Sequence, residues 1–214
     1  IAKICRKVAR RIAEHHREQI NVGIANLADY LGDPIFKKTE KLSFVKPGLV
    51  NGLAWTNTGG DVLNIEVVCT PGKGTLLLTG QLGDVMIESA KAAHSYLKAN
   101  KKQLNMPKEF PDKLDIHVHV PAGAIPKDGP SAGVTMVTAL LSALTQRTVS
   151  QDIAMTGEVS LMGRILPVGG IKEKLLAAYR YGVSKVYLPK SNENDLKEIP
   201  EKIRSRMELI CVDN

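Results

Sequence analysis

The chain switches hydrophobic period around one loop, and that switch restricts its fold more than any other feature. Leu114 to Val120 alternates, with Ile116, Val118 and Val120 on one face and Asp115, His117 and His119 on the other. Pro126-Lys127-Asp128-Gly129-Pro130-Ser131-Ala132-Gly133 follows, then an apolar run from Val134 to Leu144 broken only by Thr135, Thr138 and Ser142. Strand, Gly/Pro loop and helix in that order point to an α/β architecture. Ser131 stands where the helix begins, and there unpaired N–H groups and the helix dipole favour negative charge. Serine is also a preferred N-cap. The spacing leaves cap and nucleophile both open.

The same period argument orders the rest. Residues 1 to about 20 read as a helix with Ile1, Ile4, Cys5, Val8 and Ile12 on one stripe and basic residues opposite. Asn26 is the expected N-cap of a short helix with Leu27, Tyr30 and Leu31 inward and Gly32 as its stop. This small pair reads as the tail of a neighbouring domain, joined by a polar connector over 33–45. Strands are expected over Val50 to Trp55, Val62 to Cys69 and Thr75 to Thr79, separated by Gly-rich turns. Asp84 to about Ala99 reads as a helix with Val85, Ala92, Ala93, Tyr96 and Leu97 as its core face and His94 structural or solvated. A polar loop is expected over 100–113. A strand from Asp152 to Thr156, a hairpin-like section bracketed by Gly163 and Gly170, and a helix from Ile171 to near Gly182 come next. Strands Lys185 to Leu188 and Met207 to Val212 flank polar helical turns and close the chain. On the wheel of the helix from Ile171, Lys172 and Lys174 both lie on the apolar margin, and the wheel does not choose between them.

Composition excludes several classes. With 43% hydrophobic but only 4% aromatic residues, the core must be aliphatic. No apolar stretch approaches the roughly 20 residues of a membrane span, and no signal peptide is visible. Cys5, Cys69 and Cys211 are few and far apart, which suits a reducing compartment rather than a disulfide framework or zinc site. His117 and His119 share a strand face, but no third metal ligand lies nearby in sequence. The two remain candidates for a base acting on Ser131. The net charge of +7 is spread over Lys3, Arg6, Lys7, Arg10, Arg11 and Arg17 and over Lys98, Lys101 and Lys102, without interleaved aromatics. Solvated helix faces account for it, and a nucleic-acid patch is the alternative. No Gly-x-x-x-x-Gly-Lys-Ser/Thr spacing occurs, so no nucleotide site is expected. Ile1 in place of Met suggests an excised fragment.

Taken together, the motifs resemble one family. Pro126 to Gly133 resembles the signature around the nucleophile of the Lon proteases, and Leu166-Pro167-Val168-Gly169-Gly170-Ile171-Lys172-Glu173-Lys174 their lysine motif. Gly52-Leu53-Ala54-Trp55 through Gly59-Gly60-Asp61 and Ile65-Glu66, Pro71-Gly72-Lys73-Gly74, and His117-Val118-His119-Val120-Pro121 also resemble it. The match runs in order over 48–212 and is closest to the A-type. The resemblance implies mixed β-sheets with flanking helices over 46–214, preceded over 1–45 by the end of an AAA+ helical subdomain. It implies a Ser–Lys dyad of Ser131 and Lys174. Thr156 would hydrogen-bond the lysine, Asp128 would be the loop acid that gates the site, and His117 a supporting histidine. It also implies a serine endopeptidase acting on unfolded or damaged proteins in protein quality control. Its setting would be a homohexameric ring driven by ATP and Mg in a module outside this chain, cytoplasmic in a bacterium or else in the mitochondrial matrix. DNA is a secondary candidate partner. The family's nucleotide-sensing arginine would lie upstream of Ile1, and its last helix beyond the end of the chain.

That chemistry sets a requirement. A lysine accepts the serine proton only when neutral, so its pKa must fall by about 2–3 units from about 10.4. Desolvation on an apolar margin supplies such a shift.

Overall fold

The computed structural model describes residues 1–14, 20–32, 41–56, 59–121 and 127–214. The expectations for 15–19, 33–40, 57–58 and Pro126 fall outside them. The described chain forms two units, Ile1–Thr39 and Glu40–Asn214. Residues 41–42 attach to the second unit, because the Lys41 amine pairs with Asp152 and the Leu42 N–H donates to Tyr181 Oη at 3.4 Å.

In the first unit, α1 (Ala2–Glu14) and α2 (Leu27–Leu31) are held by cations at the surface. Lys3 and Lys7 donate to carbonyls of Leu31 and Asp29, and the Arg11 guanidinium lies 5.0 Å above the Tyr30 ring. Tyr30 is buried, but the apolar stripe of α1 is only partly covered, with Ile4 and Val8 half-buried and Ile1, Cys5 and Ile12 exposed. Asn26 stands at the N-cap position of α2 as expected, but its side chain makes no cap bond to that helix. A 3-10 turn, Ile24–Asn26, precedes α2, and Asn26 Oδ1 accepts the Gly23 N–H instead.

The second unit is built on a seven-stranded sheet. Its strands are β1 (Leu49–Thr56), β2 (Gly59–Pro71), β3 (Leu76–Thr79), β4 (Leu114–His119), β5 (Ile153–Met155), β8 (Lys185–Pro189) and β9 (Glu208–Val212). Their order is β3-β4-β2-β1-β5-β8-β9. β1, β2 and β4 pair antiparallel, and the outer pairings are parallel. β6 (Glu158–Val159) and β7 (Ile165–Leu166) form a separate hairpin. The helices are α3 (Asp84–Ala99), α4 (Gly133–Thr145), α5 (Ile171–Tyr181) and the short α6 (Glu201–Arg204). The fold is mixed α/β with flanking helices. Among the described residues no helix is long and apolar enough to cross a membrane.

Alternation along the strands divides the core in two. Val50, Ile65, Val67, Ile116 and Val118 pack with α3 and α4 on one face. Leu53, Val62, Ala154, Val186 and Leu188 pack with α5 on the other. Two expectations fail for long-range reasons. The buried stripe of α3 is Met86, Ala90, Ala93 and Leu97, while Val85 faces outward. Two alanines in that stripe allow α4 to approach closely, and packing sets the rotation of the helix. The polar loop over 100–113 carries Phe110 fully into the core, where its ring meets His94 edge-on.

Candidate active site

Ser131 sits in a 3-10 turn, Pro130–Ala132, that leads into α4. Gly129 at φ 125° turns the chain into it, a conformation that disfavours any side chain. Neither this turn nor α4 has a side-chain cap, so Ser131 is not the N-cap it resembles in sequence. Its backbone is fixed instead. The Ser131 carbonyl accepts the Gly157 N–H at 2.9 Å and the Thr156 hydroxyl at 3.3 Å, and the Val134 N–H donates to Gly157 O at 3.0 Å. These bonds lash the turn to the end of β5. Gly133 completes the join, since a Cβ there would lie 2.6 Å from Val159 N. The hydroxyl of half-buried Ser131 has no hydrogen bond among the described residues.

Lys174 lies on α5, above the start of β2. The helix approaches so closely that a Cβ on Gly60 would collide with the Glu173 carbonyl. At its N-terminus, Gly170 adopts φ 70° with Trp55 2.9 Å from the position a Cβ would take. Sequence reading placed both glycines in motifs but gave neither a packing role. The two lysines of the helix part company here. Lys174 is only 2% exposed, whereas Lys172 is exposed. Burial alone pushes the Lys174 amine down to about 8. Among the described residues, nothing hydrogen-bonds that amine, including Ser131 and Thr156. Thr156 departs from its expected role, because its hydroxyl donates to the Ser131 carbonyl. Hydrogen bonds between catalytic groups often tighten only when substrate arrives.

Asp128 has a structural task in this loop. Its Oδ1 accepts the Met86 N–H at 3.0 Å and the Gly129 N–H at 2.9 Å, and Gly83 leaves the space its carboxylate occupies. It thus caps α3 from a distant segment. Lys127 reinforces the junction: its N–H donates to Gln81 O, its carbonyl accepts the Gly83 N–H, and its buried amine donates to Gly80 O at 3.2 Å. A sequence signal exists for this. The residue before Asp84 is glycine, which has no capping side chain, so the free N–H groups of the helix need an acceptor from elsewhere.

His117 lies apart from these groups. It is exposed, on the face of β4 opposite the Ile116 and Val118 side chains that pack with α4. Its Nε2 is 2.8 Å from Thr79 Oγ1, which also meets His119 Nδ1 at 2.7 Å. Neither histidine bonds to Ser131 or Lys174. Among the described residues no three His, Cys, Asp or Glu side chains form a metal-binding group.

Comparison with known proteins follows the same outline. The family described as the Lon protease (S16) C-terminal proteolytic domain matches residues 21–214. The chain is 51% identical over 214 residues to Lon protease 1 of Bacillus subtilis (strain 168), and covers 28% of it. It is 52% identical over 214 residues to the Lon protease of Roseiflexus castenholzii, and covers 27%. To Lon protease 2 of Bdellovibrio bacteriovorus it is 48% identical over 214 residues, covering 27%. In each case the whole of this chain is matched, and it spans about a quarter of the relative's length.

Proposed function

The chain belongs to the Lon protease family through its C-terminal proteolytic domain, a serine protease domain, and from that premise we propose that Ser131 is its nucleophile and Lys174 its general base. The observation that carries this reading is the burial of one amine on the helix that also bears an exposed one. With a pKa of about 8, roughly a quarter of Lys174 is neutral at pH 7.5, against about one part in a thousand for an unperturbed lysine. The neutral amine takes the Ser131 proton as Oγ attacks the substrate carbonyl. The Gly133 and Val134 N–H groups are already bonded to Pro130 O and Gly157 O, so the Ser131 and Ala132 N–H groups of the turn are the ones left for the developing oxyanion, a contribution of about 3–4 kcal/mol per donor where measured. The resulting ammonium protonates the leaving amine, and the acyl-enzyme remains on Ser131. Water then attacks, giving its proton to Lys174, which returns it to Ser131 Oγ as the acid leaves. Thr156 fixes the nucleophile's backbone, and its oxygen lone pairs remain to accept from the ammonium. Asp128 and Lys127 hold the loop against α3.

The reading extends to the longer protein. Its substrates are unfolded or damaged polypeptides, delivered by an ATP-driven homohexamer in the bacterial cytoplasm, with the mitochondrial matrix as alternative and DNA as a secondary partner. ATP and Mg would be held outside this chain, which has no phosphate-loop spacing, and no step above runs through them. Treating the full-length protein with a peptide boronate or acylating probe and mapping the adduct tests the assignment. A label on Ser131, lost in Lys174→Ala and kept in Lys172→Ala, is expected. A label elsewhere would contradict it.

A further inference from the structure

The hairpin beside Ser131 ends in two apolar side chains that the rest of the domain does not cover. Leu161 is 57% exposed and Met162 85%. Exposed apolar residues are common singly, but these two are adjacent and held in place. Their turn is closed by hydrogen bonds from Ser160 N to Arg164 O at 3.0 Å, Gly163 N to Ser160 O at 2.9 Å and Arg164 N to Ser160 Oγ at 3.1 Å. Gly163, at φ 82°, lies under the Tyr96 ring of α3, where a Cβ would be 2.6 Å from Cε2. At the other end, the hairpin springs from Gly157, whose N–H is bonded to the Ser131 carbonyl. The base of the hairpin is therefore tied to the nucleophile's turn, while its tip rests against α3.

We propose that Leu161 and Met162 form a remote substrate subsite that takes an apolar side chain of an extended polypeptide, about four residues from the bond cleaved at Ser131. This rests on the reading of Ser131 as nucleophile. The spacing follows from chain geometry. Leu161 lies four residue steps beyond Gly157, about 13 Å of extended chain, and a bound strand of substrate covers that span in about four residues. Unfolded polypeptide suits the surface chemically, because it offers the apolar side chains that folded proteins bury. Methionine adapts to varied partners, so the subsite selects apolar character rather than one residue type.

The test uses the full-length protease and peptide pairs that carry Leu or Ser four residues from the cleaved bond, on either side. The wild type is expected to favour Leu by about threefold to tenfold in kcat/KM on one side, mainly through KM. Leu161→Ser/Met162→Ser is expected to lose that preference, and Met162→Gln alone, at the more exposed position, to halve it or more without a folding defect in thermal unfolding. Unchanged preference in both variants overturns the proposal. So does loss of the wild-type oligomeric state in sedimentation, which would make the tip a contact between copies. Failure of an acylating probe to label wild-type Ser131 removes the nucleophile reading, and the subsite falls with it.

Discussion

On α5, packed over the start of β2, a lysine is only 2% exposed, and on the open face of β4 one imidazole stands in solvent and a second is half-buried. By residue type alone the second place is the better equipped for acid–base chemistry, since histidine titrates near neutrality and lysine does not. The structure reverses that order. Burial brings Lys174 to about 8, while His117 and His119 flank the Thr79 hydroxyl and neither bonds to Ser131. What differs is access to water. Desolvation changes what a side chain can do more than its identity does.

The contrast can be broken most severely at the buried end. Ser131→Ala and Lys174→Ala should each lower peptide hydrolysis by about 1,000-fold or more, measured as kcat/KM in the full-length protein. Lys174→Met should also stabilise the domain, by about 1–3 kcal/mol at pH 7, because below pH 8 the native state buries an ammonium. The unfolded lysine binds its proton up to about 10.4, so wild-type stability rises between pH 8 and 10.4 and the gap to the variant closes. Denaturant melts at pH 7 and pH 10 check this, and a gap that widens with pH would contradict it. Asp128→Ala removes the cap on α3 and should cost about 1 kcal/mol with a several-fold drop in turnover. At the open face the expected effect is smallest. His117→Ala should change kcat/KM by about twofold at most and leave the pH profile in place, because among the described residues the ring is exposed and meets Thr79 and His119.

Much of the fold was legible because strands and long helices carry their own period. α3 runs from Asp84 to Ala99 as read from the sequence, and the faces of β4 divide as its alternation requires. What escaped depends on partners far along the chain. Val85 looked like core until α4 claimed the Ala90 and Ala93 side of the helix. Asn26 and Ser131 looked like caps, yet neither side chain makes a cap bond: Asn26 Oδ1 turns back to the Gly23 N–H, and Ser131 lies inside the turn rather than before it. The helical wheel could not separate Lys172 from Lys174, because the margin that is covered is decided by where α5 crosses β2 over Gly60. Family resemblance named the lysine, and packing supplies a physical reason for it.

The most direct test is the pH dependence of Ser131 acylation by an uncharged serine-directed reagent. The rate should rise about tenfold per pH unit below 8, level off above it, and lose this dependence in Lys174→Ala. An inflection near 6.5, or the same profile without Lys174, would contradict the buried amine as the base.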